Sequence, residues 1–288
     1  MIKSFLQTKK SFFSFVFLAF IGIKQANQVY SANQTKALVF PNYQIHPETV
    51  FINSRKNVLK VGIKPYLGRE VIKGEKSPSL ILVSNGRNLI LKDAVGVIRQ
   101  AKEIKISWRS QQLSKSKVFA RKKIGPFASF ESAERLAKDL KDKGIESIIA
   151  HPLDWEVWVS STTKIPETIN STYQKIEVSR SVVPYIDSDN LKVDLQGPIS
   201  LQAPDGLRWE NGIYSGPFYI QTDAYGSWTL VEHVPIEKYL NGVVPYEIGH
   251  NSPEAALAAQ AVLARTWAIA NSHRFKVDGY NVCSDTQC

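Results

Sequence analysis

The chain has 288 residues, which is enough for one large domain or two small ones. Apolar residues make up 43% and charged residues 22%, an ordinary globular composition that excludes an intrinsically disordered protein. The formal net charge of +10 suits a protein that meets an acidic envelope. Because the sequence has no basic-aromatic motif, we do not expect a nucleic-acid partner.

Residues 1–32 have the pattern of a secretory signal. Lys3, Lys9 and Lys10 give the positive start, residues 11–23 form a short apolar stretch, and Ser31 and Ala32 offer a cleavage site. The apolar stretch is short for a membrane-spanning helix. We therefore predict export to the periplasm or cell envelope, with an uncleaved membrane anchor as the alternative.

A polar lead-in segment, residues 33–57, precedes a β-rich part, residues 58–110. Short β-rich runs there are separated by turn residues. Asn85-Gly86 lies between two of these runs and predicts a tight hairpin turn, because both positions tolerate positive φ.

Residues 117–160 predict a small α/β module of strand, helix, strand and strand. Ser129 is the predicted N-cap, and the helix is expected to run to Lys143 and stop at Gly144. An apolar stripe along this helix is expected to cover a sheet. The stripe consists of Ala133, Leu136, Ala137 and Leu140.

The Gly125-Pro126-Phe127 turn and the helix after it resemble the SPOR domain, a module that binds glycan strands. A second copy of that turn is usual there, whereas this chain has the strand 155–159 instead. Trp155 and Trp158 should point to opposite faces of that strand. An exposed Trp158 would stack on a sugar ring, and burial of both side chains is the alternative.

Residues 173–288 begin as strands and end as helices. Pro235 is expected to begin a short helix that Pro245 ends, which puts Glu247 on a connection. A second helix, capped by Ser252 and Ala-rich from Pro253 onward, is expected to be buried at the centre of this part.

Glu247 is the only acid among the apolar residues around it. A carboxyl group in apolar surroundings loses hydration, which favours the protonated acid and allows proton donation near neutral pH. A structural role at a turn is the alternative.

The ordered motifs YLNGVVPYEI, SPEAALAAQAVLARTWAIA and GYNVCSDTQC resemble the catalytic domain of the stage II sporulation protein D family, also called SpoIID/LytB. The resemblance implies a bacterial lytic transglycosylase that cuts the glycan strands of peptidoglycan, with Glu247 at the catalytic position. In that family the domain continues past the last motif, so we expect the catalytic part, residues 173–288, to be incomplete. The predicted fold is α+β, a β-rich body with an inserted SPOR-like module and a C-terminal helical catalytic segment.

Tyr246, Gln260 and Arg265 are the predicted substrate-binding residues near Glu247. Arg265 would bind a carboxylate or a substrate substituent. An ion pair, with Glu247 itself as one partner, is the alternative.

Cys283 and Cys288 are the only cysteines. In an exported protein, two cysteines favour a disulfide or free thiols over a metal. Some relatives hold zinc at the corresponding loop, but a closed site needs four ligands, and His250 or His273 would add only one. We predict no cofactor, with zinc as the alternative.

A single glutamate suffices for glycan cleavage when the sugar supplies its own nucleophile, as in a lytic transglycosylase. Glycan strands are then the partner. The alternative is a non-catalytic glycan-binding protein that enhances a cell-wall amidase.

Overall fold

The structure, a computed structural model, describes residues 58–188, 191–210 and 212–284. The predicted signal sequence, the lead-in segment and Cys288 lie outside the described residues. Among the helices of the described ranges, none is both long and apolar enough to cross a membrane.

The strands are β1 (Val58–Leu67), β2 (Leu80–Ser84), β3 (Leu89–Lys92), β4 (Ile98–Ala101), β5 (Glu103–Phe127), β6 (Ser147–Ala150), β7 (Trp155–Ser160), β8 (Thr172–Ser188), β9 (Leu191–Asp194), β10 (Ile199–Gln202), β11 (Leu207–Trp209), β12 (Gly212–Tyr214), β13 (Phe218–Thr222), β14 (Trp228–Pro235) and β15 (Val282–Cys283). The α-helices are α1 (Phe130–Asp142), α2 (Ile236–Ile248) and α3 (Glu254–Ala270), and short 3-10 helices lie at Arg69–Lys73 and Lys276–Asp278.

The strands form two sheets, and the helices lie in separate segments, so the predicted α+β class agrees with the structure. One sheet has the order β15-β1-β14-β13-β10-β3-β4, and the other has the order β12-β11-β2-β5-β7-β6. The long strand β5 pairs with β2 at its start and with β7 at its end, and β8 pairs along its middle. One strand therefore connects the β-rich body with the predicted α/β module.

The predicted hairpin at Asn85-Gly86 is wrong. Strand β2 pairs with β5 and β11 in one sheet, whereas β3 pairs with β4 and β10 in the other. The intervening turn is fixed by Asp205, whose carboxylate accepts a hydrogen bond from the Arg87 backbone N–H at 2.5 Å. The turn therefore passes the chain between the two sheets and does not fold it back.

The main hydrophobic core draws on strands of both sheets and on the inner side of α2. Its fully buried members include Leu59, Leu82, Leu91, Ile106 and Leu230. Apolar burial of this kind contributes about 25 cal/mol per Å² of surface withdrawn from water, which makes this core the main source of stability.

The α/β module, which we define as residues 117–160, has the predicted helix. The Ser129 hydroxyl accepts a hydrogen bond from the Ser132 backbone N–H at 3.3 Å, and the helix ends at Asp142. Of the predicted stripe, Ala133 and Leu140 are buried, and the other two residues pack against the same cluster. The helix therefore covers the sheet of β5, β6 and β7, as its apolar stripe predicts.

Helix α2 continues through Pro245, so the prediction that this proline ends the helix is wrong. Proline removes one backbone donor, and the next turn closes through a 2.9 Å hydrogen bond from the Gly249 N–H to the Pro245 carbonyl. Gly249, with φ of 87°, ends the helix instead.

Helix α3 is not the buried central helix that its composition predicts. Only Ala268 is buried. One side of the helix packs on the main core through Leu257, Ala261 and Ala264. The opposite side is apolar and exposed, and it carries Val262, Leu263, Trp267 and Ile269. Ser252 does not cap this helix, since its hydroxyl donates to the Ile248 carbonyl at 2.6 Å.

The segment after α3, residues 273–275, is held by the α/β module. Phe275 stacks on Tyr280 with ring centroids 4.9 Å apart and packs on Trp155 at 5.2 Å. His273 pairs with Glu134 of α1 at 2.7 Å, and the hydrogen bond lowers the pKa of that carboxyl. The module and the C-terminal segment therefore share one core cluster.

A buried cluster of carboxyl and tyrosine side chains lies beside this contact. The Tyr225 hydroxyl donates to the Asp278 carboxyl at 3.1 Å and accepts from the His151 backbone N–H at 2.7 Å. Burial raises the pKa of Asp278 well above its usual value, and the nearby Asp223 carboxyl adds to the shift. Burial likewise raises the pKa of Asp223. Asp278 is therefore more stable in the fold as the neutral acid.

We predict that Phe275→Ala lowers the free energy of unfolding by about 3 to 5 kcal/mol, because it removes an aromatic ring from a shared core. Urea unfolding followed by circular dichroism measures the change. The control is Leu153→Ala in the same module, whose side chain is 73% exposed and whose loss should change stability by less than about 0.5 kcal/mol. A Phe275→Ala protein as stable as the parent would contradict the shared core.

We predict that the free energy of unfolding falls as the pH rises above about 4, because the Asp278 carboxyl then loses its proton in the unfolded chain while the fold keeps it as the neutral acid. The sign follows from its raised pKa: the contribution is fully present below the unfolded value and is lost as the pH rises. Asp278→Asn stays neutral, and its amide oxygen still accepts from Tyr225. Its stability advantage over the parent should therefore grow with pH in urea unfolding series. An advantage that is constant across the series would contradict the assignment.

Candidate functional site

Glu247 lies on the last turn of α2 and its side chain is exposed. The expectation that it sits on a connection in apolar surroundings is therefore wrong. The apolar neighbours in the sequence, such as Val244, turn inward to the main core because the helix continues past Pro245. The helical geometry thus separates the carboxylate from the residues that flank it in the sequence.

Helices α2 and α3 form a helical hairpin, and Gln260 of α3 contacts Glu247 of α2 across it. Its side-chain amide donates a hydrogen bond to the Glu247 carboxylate. An amide donor fixes the orientation of a carboxylate. The structure thus brings together two of the predicted site residues, although the sequence assigned Gln260 to substrate.

Arg265 does not pair with Glu247. Its guanidinium donates to the Glu237 carboxylate at 2.5 Å, at the other end of the α2–α3 hairpin. Both side chains are partly exposed, so this pair contributes little to stability. The two cross-links, at Gln260 and at Arg265, tie the two helices together at separate points.

Tyr246 precedes Glu247 and is 82% exposed, which leaves its ring open to a ligand. Tyr239 is a neighbour that the sequence predictions missed. Burial raises the pKa of Tyr239 to about 12, and the charge of Glu247 adds to the shift. Tyr239 lies in the YLNGVVPYEI motif, so the sequence could have identified it as a candidate site residue.

Trp158 is not a sugar-stacking residue, since only 2% of its surface is exposed. Its indole N–H donates to Glu156 at 2.7 Å, and the Arg121 guanidinium lies 3.3 Å from the ring centroid. Trp155 is buried in a different cluster on the other side of β7. The alternation of side chains along a strand correctly predicted that the two rings lie on opposite faces of β7. Both faces of this strand are covered, however.

Cys283 is disulfide-bonded, and Cys288 lies outside the described residues. His273 is engaged by Glu134, and His250 is exposed after the end of α2. In the described ranges, no group of three or more His, Cys, Asp and Glu side chains is arranged to hold a metal ion.

The segment that carries the hairpin is the one that matches a known family. A family model described as SpoIID, Stage II sporulation protein, matches residues 224–288, which include α2, α3 and β15. Comparison with curated proteins found no significant match, and comparison with solved structures found none either. Residues 224–288 of this chain are therefore similar to the SpoIID, stage II sporulation protein, family.

Proposed function

We propose that this protein cleaves the glycan strands of peptidoglycan as a lytic transglycosylase, with Glu247 as the acid and base. The observation that carries the proposal is the position of Glu247. It lies in the family-matched segment, is open to a large polymer, and is oriented by Gln260. The substrate lies outside the cell membrane, which agrees with the signal-like pattern of residues 1–32.

A second acid on the same helix is too far away to act with Glu247. Glu237 lies ten residues earlier on α2, a separation of about 15 Å along the helix axis. Paired carboxyl groups in ordinary glycosidases are about 5 to 9.5 Å apart. Glu237 is also paired with Arg265. The proposed mechanism therefore uses one carboxyl group.

In that mechanism the protonated Glu247 gives its proton to the glycosidic oxygen as the bond from that oxygen to the muramic acid C1 breaks. The carboxylate then takes a proton from the 6-hydroxyl of the same sugar while that oxygen bonds to C1. The product is a 1,6-anhydro ring, Glu247 regains its proton, and no water is consumed. Gln260 aims the carboxyl group during both transfers.

The exposure of Glu247 adds one requirement to this mechanism. Proton donation near neutral pH needs a carboxyl group with reduced hydration. Since the side chain is exposed in the protein alone, the bound glycan strand itself must displace water from it.

A second candidate function is enhancement of a cell-wall amidase without cleavage. One observation favours it: the outward side of α3 presents Val262, Leu263, Trp267 and Ile269 to solvent. An exposed apolar surface of this kind is typical of a protein-binding site. In this case the protein would bind glycan and an amidase and release no glycan products.

We predict that Glu247→Gln lowers the rate of glycan cleavage at least about 100-fold, because the amide keeps the shape but cannot transfer a proton. Soluble products released from denuded glycan strands, counted by mass spectrometry, measure the rate. The matched control is Glu254→Gln, an exposed glutamate at the start of α3 that should cleave like the parent.

Equal cleavage rates for the parent and Glu247→Gln would defeat the assignment of Glu247. Retained glycan binding with no products from either protein would favour the amidase enhancer.

A further inference from the structure

The hairpin of β11 and β12 places two aromatic side chains on one face. Its register pairs Leu207 with Tyr214 and Trp209 with Gly212. Directly paired residues share a face, so Trp209 and Tyr214 lie on the same side as the fully buried Leu207. Both aromatic residues pack against the main core but stay partly exposed. The opposite face carries Ile213, which is 63% exposed.

Trp209 has no cross-strand side chain beside it, because its partner is Gly212. A side chain at Gly212 would approach the Tyr214 ring to 3.2 Å. Strand β12 is also the edge of its sheet, so no further strand lies beyond it in the described residues. The hairpin therefore presents part of two aromatic rings at an open edge.

This edge is fixed relative to the helix that carries Glu247. The buried Glu232 carboxylate accepts hydrogen bonds from the Ser215 and Gly216 backbone N–H groups, at 3.0 and 2.9 Å, directly after Tyr214. Glu232 lies on β14, which leads into α2. These two hydrogen bonds thus connect the β11–β12 hairpin to the strand that leads into α2.

The end of α2 also lies near the hairpin. Burial raises the pKa of Tyr214, and the charges of Glu210 and Glu232 and the hydroxyl of Tyr246 add to the shift. Tyr246, the residue before Glu247, is therefore within electrostatic range of Tyr214.

We propose that Trp209 and Tyr214 form a sugar-binding subsite that holds one ring of a glycan strand. The apolar faces of pyranose rings stack on aromatic side chains, and a rigid ring half-embedded in a core loses little entropy when it binds. The ligand class is a neutral or weakly charged polysaccharide built on N-acetylated hexoses. This inference rests on the proposed function, since it assigns a contact for the same substrate.

The test measures binding of denuded glycan strands to proteins that also carry Glu247→Gln, so that cleavage cannot interfere. Trp209→Ala should weaken binding about fivefold or more, as expected for loss of one aromatic contact. Ile213→Ala, on the opposite face of the same hairpin, should bind like the parent. Trp209→Phe, which keeps a ring, should recover most of the loss. The urea midpoint of each variant shows whether it is folded.

Parent-like binding by folded Trp209→Ala would overturn the subsite, whether or not the wild-type chain cleaves glycan. Equal losses of binding in Trp209→Ala and Ile213→Ala would also overturn it. The loss would then come from a disturbed hairpin and not from removal of the aromatic ring. Weakened binding by Trp209→Ala alone, in a protein whose wild type releases no products, would support the subsite and defeat the proposed cleavage. No binding by the parent would overturn both.

Discussion

The packing of residues 273–275 against the α/β module is the contact on which the arrangement of the C-terminal segment depends. Phe275 lies between Trp155 and Tyr280, and His273 pairs with α1. These contacts hold the chain directly after α3, while β14 leads into α2. The helical hairpin is thus fixed at both ends by parts of the chain outside it. The α/β module thus shares a core cluster with the family-matched segment.

The candidate site is built on that hairpin from few parts. Glu247 is exposed, Gln260 orients its carboxylate, and Glu237 is engaged by Arg265. A surface carboxylate of this kind differs from the dry pocket that its sequence neighbours suggest. For a long polymer substrate, an open position is useful, because the strand can bind without threading. In the proposed mechanism, the bound strand would supply the desolvation that proton transfer requires.

Local signals in the sequence were sufficient for α1, because a cap at Ser129 and an apolar stripe act within one helix. They were insufficient where contacts between residues far apart in the sequence determine the structure. The turn at Gly86 is a good hairpin turn by itself, yet sheet pairing sends its two strands apart. Alternation placed Trp158 on a face but could not show what covers that face. Pro245 breaks one hydrogen bond, and packing of α2 on the core outweighs that loss. The exposure of Glu247 follows from that continued helix, so neither could be predicted from composition.

The central claim is that one carboxyl group cleaves a glycan strand without water. The most direct measurement is digestion of denuded strands in water enriched in heavy oxygen, followed by mass spectrometry of the products. The account predicts unlabelled products with 1,6-anhydro ends, each lighter by one water than a hydrolysis product. Products that carry heavy oxygen at a new reducing end would contradict it.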